Sequence, residues 1–346
     1  MNRYLWIDNA RIASCIAIVL LHTASGLVYN TSNLNGMEWW SANLYNAFSR
    51  WSVPFFLMIS GALLLNPLNK DDVPTFYRKR LGRIAVPLLF WTVFYGCIRL
   101  IDSYSGHTPL SRAFAALGID ILAGKPYYHL WYLYMLVGLY LFLPLLRYCV
   151  AAAPRRDLVI LCCAWFLIAM SNSVISSCNQ GLSTAKLSFF LGSFFNFAPY
   201  CLAGYLIATA KSVPGKRLLW AGFIIMGCAS ALVTLALGEI PCRGKFYCYG
   251  FVSVPTVIMA ITLFMLFSRL EKPFINSRFT RFAAPLTFGV YLLHPAILKG
   301  LTLLHIDARA YLPAMSIPLV ACLAAVISGL VAAALFRIPG VRKTIG

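Results

Sequence analysis

Ten long runs of apolar residues, separated by short polar segments, make up most of the chain. Each run is long enough to cross a hydrocarbon core about 30 Å thick as an α-helix. The pattern therefore predicts an all-α, polytopic membrane protein with about ten transmembrane helices. Their predicted bounds are residues 10–29, 47–66, 82–101, 129–149, 157–175, 187–209, 217–237, 251–269, 285–304 and 313–336.

The polar connections are short except for residues 102–128, in which we predict a short surface helix at 110–122. No stretch is long and polar enough to form a separate soluble domain, so we expect residues 1–346 to form a single transmembrane domain. The first apolar run opens directly into a long span, and we therefore expect no cleavable signal peptide.

Composition agrees with a membrane protein, because 60% of the residues are hydrophobic and only 11% are charged. The net charge of +19 would suggest a nucleic-acid partner in a soluble protein, but here the basic residues lie in short connections, so we expect none. With the N-terminus inside, the inner segments hold twenty of the 29 lysines and arginines. The positive-inside rule then predicts that both termini are cytoplasmic.

The first predicted helix carries two ionisable residues, Arg11 and His22. Eleven positions are about three helical turns, so both side chains share one face, roughly 16 Å apart. Such groups at membrane depth are costly and usually serve a site. Alternatively, Arg11 is an anchor that reaches the headgroups, and His22 forms a hydrogen bond between helices. Asp8, one turn before Arg11, either orients it or is an ordinary first-turn acid.

Two groups on the inner side are also candidates. Arg80 and Arg83 lie one turn apart in the basic run 77–83. This run could bind a polyphosphate through charge-assisted contacts. Alternatively, it reflects membrane topology and binds anionic lipid headgroups. The Ser60-Gly61 step of the second helix favours a tight contact between helices over pore lining.

Two aromatic and histidine groups lie in the fourth and ninth predicted helices. His129, Trp131 and Tyr132 are either interfacial aromatics or a stacking and hydrogen-bonding platform for a sugar. Tyr291 and His294 are one turn apart near mid-depth, beside a proline. They mark either a structural kink or a second part of the site.

The eleven cysteines suggest no metal centre, because most lie inside apolar runs and none forms a CxxC pair. Cys242 and Cys248 share a short loop and could form a disulfide if that loop faces an oxidising space. No P-loop, dinucleotide-binding or metalloprotease motif is present.

These motifs together resemble the membrane-bound acyltransferase family 3 over essentially the whole chain. The resemblance is carried by the Arg-x10-His pair after Ile7-Asp8-Asn9, the Pro-Phe-Phe…Ser-Gly run at 54–61, the Arg-Lys-Arg group at 78–80, the His-Leu-Trp-Tyr-Leu segment at 129–133 and the Tyr-Leu-Leu-His segment at 291–294.

The resemblance implies an acyltransferase of the bacterial inner membrane. It would move an acyl group, most commonly acetyl, from cytoplasmic acyl-CoA to a hydroxyl of a cell-surface or lipid-linked glycan. Arg78 and Arg80 would hold the CoA phosphates or shape the donor path, with Arg83 and Ser60 beside them. His22 would be the general base or would briefly carry the acyl group. No permanently bound cofactor is implied.

A multi-pass transporter of a small polar or glycolipid substrate is the main alternative. Ten spans, intramembrane histidines and helix-breaking prolines suit it, although the internal repeats of many transporters are not visible in this sequence. A non-catalytic sensor or scaffold is a third possibility. The acyl group, the acceptor sugar and the oligomeric state stay open.

Overall fold

The computed structural model describes residues 5–346 except 31–33, 35, 68–70, 179–193, 240–243, 245, 274, 276 and 310–311. The described residues form helices and connections, with no strand. The twelve α-helices are α1 (Leu5–Asn30), α2 (Met37–Ser49), α3 (Ser52–Leu64), α4 (Val73–Ser105), α5 (Leu110–Leu122), α6 (Trp131–Ala152), α7 (Arg155–Cys178), α8 (Phe194–Ala208), α9 (Lys216–Glu239), α10 (Val254–Phe267), α11 (Ser277–Leu303) and α12 (Pro313–Leu335).

Within the described residues, nine helical segments are long and apolar enough to cross a membrane, with α2 and α3 counted as one. The shorter apolar helix α8 corresponds to the remaining predicted span, of which residues 187–193 lie outside the described residues. The prediction of an all-α, polytopic membrane protein is therefore confirmed.

Large apolar side chains face outward along these helices. Leu89 on α4 is 69% exposed and Leu330 on α12 is 67% exposed. Exposed apolar surface of this extent is unfavourable in water and favourable against lipid. The outer surface is thus apolar, as expected for a multi-pass membrane protein that contacts lipid.

Residues 37–46 were predicted as a connection before the span 47–66, but they form most of helix α2. Its inward face carries two buried asparagines whose polar groups are satisfied by other helices. The amide of Asn43 donates to the backbone oxygen of Ala231 (3.1 Å), and that of Asn46 donates to the hydroxyl of Ser25 (2.9 Å). The prediction was wrong because hydropathy scores a buried asparagine as polar whether or not it has a partner.

Helix α4 begins at Val73, nine residues before the predicted start. Asp72 caps it by accepting a hydrogen bond from the backbone N–H of Thr75 (3.3 Å), and hydrogen bonding by Thr75 lowers the pKa of the Asp72 carboxyl. The basic run at 78–83 therefore lies inside a helix rather than before one, since a helix can extend beyond the hydrocarbon core.

The surface helix predicted at 110–122 is confirmed as α5.

Helices α3 and α8 cross at two glycines. A Cβ atom on Gly61 would lie 1.9 Å from the backbone oxygen of Cys201, and one on Gly204 would lie 2.0 Å from that of Met58. The two backbones are therefore in direct contact, as in other membrane helix pairs with small residues at the crossing. This confirms the packing interpretation of the Ser60-Gly61 step.

Candidate functional site

Two cavities lie between the central helices. We call the larger one the histidine cavity. It has a volume of about 640 Å³, and its lining includes His22, Arg50, Tyr128, His129, Trp131 and Lys299. We call the smaller one the arginine cavity. It has a volume of about 260 Å³, and its lining includes Arg11, Ser60, Arg80, Arg83 and Tyr140.

A thin wall separates the two cavities, and its four side chains line both of them. We call this wall the partition. Each of four helices contributes one residue to it: α1, α3, α6 and α11 contribute Ile18, Val53, Tyr132 and Tyr291, respectively. The two cavities are therefore adjacent, with these four residues between them.

Helix α1 connects the two cavities along one face. Arg11 lines the arginine cavity, Ile18 belongs to the partition, and His22 lines the histidine cavity. The 3.6-residue period places positions 11, 18 and 22 on one side of a helix. Asp8 lines neither cavity but lies 3.3 Å from the Arg11 guanidinium, so it orients that group.

His22 is held by aromatic neighbours. Its ring stacks on that of His294, with centroids 5.2 Å apart and planes at 27°, and lies 4.9 Å from the ring of Tyr128. The structure shows no hydrogen bond from the His22 ring to any residue it describes, so the helix-to-helix bond considered above is not observed. The ring nitrogens are thus available to a ligand in the cavity.

Tyr128 lies next to His22 and outside the membrane-spanning segments. A tyrosine hydroxyl has a pKa well above neutral pH, and the Tyr128 side chain is half-exposed at the cavity. The hydroxyl therefore stays protonated at neutral pH and can donate a hydrogen bond. The local sequence pattern does not single out Tyr128, since tyrosines are common at membrane interfaces.

His129 belongs to the lining of the histidine cavity but is only 1% exposed. Its backbone oxygen accepts a hydrogen bond from the hydroxyl of Tyr291 (2.6 Å), which fixes one partition tyrosine against the turn before α6. Neither ring nitrogen of His129 has a partner among the described residues. His294 is fully buried behind His22, and its ring lies 5.7 Å from that of His129.

An aromatic surface lines the histidine cavity beside these histidines. The rings of Trp131 and Phe251 stack with centroids 5.6 Å apart, and both residues line the cavity. Such flat apolar surfaces suit the C–H face of a sugar ring. The cavity therefore combines an imidazole that has no hydrogen-bond partner among the described residues with a flat aromatic surface.

The three arginines of the basic run do not share one location. Arg80 and Arg83, one turn apart on α4, both line the arginine cavity together with Arg11. Arg78 is exposed and lines neither cavity, because two residues along a helix turn a side chain by about 200°. The Nε atom of Arg80 is buried and has no hydrogen-bond partner among the described residues.

Ser60 also lines the arginine cavity, and its hydroxyl donates to the backbone oxygen of Phe56 (2.9 Å). The Ser60-Gly61 step thus has two roles, with the serine at a cavity and the glycine at a helix crossing.

Cys242 lies outside the described residues, so its pairing with Cys248 stays a prediction.

A family model described as an acyltransferase domain, Acyl_transf_3, matches residues 4–337. The chain belongs to acyltransferase family 3. Together with its spanning helices, this makes it a membrane acyltransferase, and the match favours acyl transfer over the transporter alternative. Comparison with curated proteins and with solved structures gives no match.

Proposed function

We propose that this protein is an O-acetyltransferase that moves an acetyl group from cytoplasmic acetyl-CoA to a hydroxyl of a cell-surface or lipid-linked glycan. The observation that carries the proposal is the pair of cavities divided by the partition of Ile18, Val53, Tyr132 and Tyr291. One cavity has the cations that a CoA phosphate needs, and the other has a base and aromatic surfaces that suit a sugar.

The donor enters through the arginine cavity. Arg11, Arg80 and Arg83 line it, and guanidinium groups form strong, forked contacts with phosphate oxygens. The pantetheine arm then extends along α1 past Ile18, so that the thioester reaches the partition. The phosphates remain near the arginines, where their charge is balanced.

The acceptor binds in the histidine cavity with one hydroxyl against His22. The imidazole takes the hydroxyl proton as the oxygen attacks the thioester carbonyl carbon, which forms a C–O bond. The C–S bond then breaks, and the imidazolium returns its proton to the departing CoA sulfur. Tyr128 is placed to donate a hydrogen bond in the same space. An acyl-His22 intermediate is the alternative route.

The acceptor class and the location belong to the same proposal. We infer from residues 6–22, the run at 49–54 and the His129 segment a resemblance to the inner-membrane O-acetyltransferase of enterobacterial common antigen. This similarity supports an inner-membrane enzyme that modifies a surface polysaccharide. Succinyl transfer is the main alternative to acetyl transfer.

Arg80→Gln is expected to raise the KM for acetyl-CoA at least tenfold and to change kcat less. The physical reason is the loss of a charge-assisted contact with a phosphate, worth about 1.5–3 kcal/mol. Initial rates in proteoliposomes at varied acetyl-CoA measure it. Arg78→Gln is the matched control, because it removes the same charge from the same helix outside both cavities. Equal KM values for the two variants would contradict this donor site.

The proposed orientation places residue 108 outside and residue 212 in the cytoplasm. Both side chains are exposed in the structure. Thr108→Cys is expected to react with a membrane-impermeant maleimide in intact cells, whereas Ser212→Cys should react only after permeabilisation. The unmodified protein gives the background from native cysteines. The reverse pattern would invert the membrane orientation and contradict a cytoplasmic donor.

A further inference from the structure

Arg50 is a buried cation of the histidine cavity that the mechanism above does not use. It is 5% exposed and lies between α2 and α3. Its Nε atom donates to the Asn46 side-chain oxygen (2.7 Å), and Nη2 donates to the same oxygen and to the Tyr29 hydroxyl (3.1 Å). The guanidinium carbon lies 4.7 Å from the ring centroid of Tyr249 and 5.4 Å from that of Phe251.

All of these contacts are with uncharged groups, which distinguishes Arg50 from the other cations around the cavity. Lys299 forms an ion pair with Asp102, and Arg309 forms one with Glu38 at 3.5 Å. No ion pair of Arg50 occurs among the residues that the structure describes.

The cavity also contains an acid, Asp307, which forms no ion pair with Arg50 in the described part of the chain. Its carboxylate accepts a hydrogen bond from the backbone N–H of Arg309 (2.8 Å). Within the described part of the chain, no acceptor is found for the Nη1 atom of Arg50. A buried cation without a counter-charge is costly, so its retention beside a cavity points to a ligand that brings the opposite charge.

We propose that Arg50 binds an anionic oxygen group of the acceptor, either the carboxylate of an acidic sugar or a phosphate of its lipid carrier. This rests on the proposed function, because it assigns the anion to the acceptor rather than to CoA. The planar guanidinium suits both groups, since each offers oxygen atoms spaced for forked hydrogen bonds.

Arg50 lies where it could contact the same acceptor molecule as His22, at a second point. Arg50 is tied to α1 directly through Tyr29 and indirectly through Asn46, which donates to Ser25. Tyr29 lies seven residues beyond His22, or about 10 Å along the helix axis. The anionic group would therefore bind about two turns away from the reacting hydroxyl, and Phe251 would lie beside the sugar.

Binding to purified full-length protein in detergent tests this inference without requiring acyl transfer. Two matched probe pairs are titrated by thermophoresis: methyl glucuronide against methyl glucoside, and farnesyl diphosphate against farnesol. In at least one pair, the charged probe is expected to bind the wild type at least tenfold more tightly. The first pair reports a carboxylate on the sugar, and the second reports a phosphate on the carrier.

Arg50→Gln is expected to abolish that preference, whereas Arg50→Lys should keep part of it because the charge remains. Arg112→Gln removes an exposed charge of α5 outside both cavities and should leave the preference intact. Thermal unfolding identifies any variant that fails to fold, and Arg50→Lys and Tyr29→Phe then provide milder tests. No preference in the wild type for either charged probe, or an unchanged preference in Arg50→Gln, would overturn the inference.

Failure of this inference is distinguishable from failure of the proposed function. Acetyl transfer that depends on His22, with no charge preference, would retain the function and reject the anion site. A charge preference that requires Arg50, without any acyl transfer, would retain the anion site and reject the assigned reaction.

Discussion

His22→Ala is expected to lower the rate of acetyl transfer by about 10²–10⁴-fold, which is the usual contribution of a general base. The variant removes the imidazole that lines the histidine cavity between His294 and Tyr128. The affinity for acetyl-CoA should change little, because the proposed donor contacts lie on the other side of the partition. Transfer of labelled acetyl groups to membrane glycan measures the effect.

The matched control for this prediction is His305→Asn. His305 is exposed and has a φ of 60°, a conformation that asparagine tolerates better than alanine. This variant should transfer acetyl groups at the wild-type rate. If His22→Ala is as active as the control, His22 is neither base nor acyl carrier, and the reaction centre must be elsewhere.

A further measurement separates the two roles of His22. Wild-type protein is mixed with labelled acetyl-CoA in the absence of acceptor and quenched rapidly. A covalent label that is absent from His22→Ala would indicate an acyl-histidine intermediate. No label, together with normal transfer once acceptor is added, would indicate that His22 acts only as a base.

Gly61→Ala is expected to destabilise the protein by about 3 kcal/mol or more, at or above the upper end of the usual cost of overpacking. The added Cβ would overlap the backbone of Cys201, which unlike a side chain cannot rotate away. Helices α3 and α8 would have to separate, and the second close contact of this crossing, between Gly204 and the backbone of Met58, would also be lost. Thermal unfolding in detergent, followed by size-exclusion chromatography, measures the loss.

Gly300→Ala on α11 is the control, because a Cβ atom at that position meets nothing within 4 Å. It should leave stability unchanged or raise it by up to about 1 kcal/mol, the difference in helix propensity between alanine and glycine. Gly204→Ala should resemble Gly61→Ala, and the double variant should cost less than the sum, since both disturb one crossing. Wild-type stability of Gly61→Ala would contradict the close approach.

The local sequence pattern is insufficient at particular residues, for identifiable reasons. Arg50 carries the same signal as Arg11 and His22, an ionisable group inside a predicted span, and could have been selected on that basis. Tyr128 could not, because its importance depends on a histidine more than 100 positions earlier. Arg78 and Arg80 look equivalent in the sequence, and the position of the helix relative to the cavities separates them.

The sequence by itself determined that the chain is a bundle of membrane helices and that Arg11 and His22 share a helix face. Hydropathy and helical periodicity are local properties, so neighbouring residues suffice to predict them. Only the tertiary structure decided that the two residues line different cavities and that Tyr132 and Tyr291 help to divide these. Cavities form where side chains from distant segments meet, and their shape depends on helix crossings such as that of Gly61 with Cys201, which no local pattern encodes.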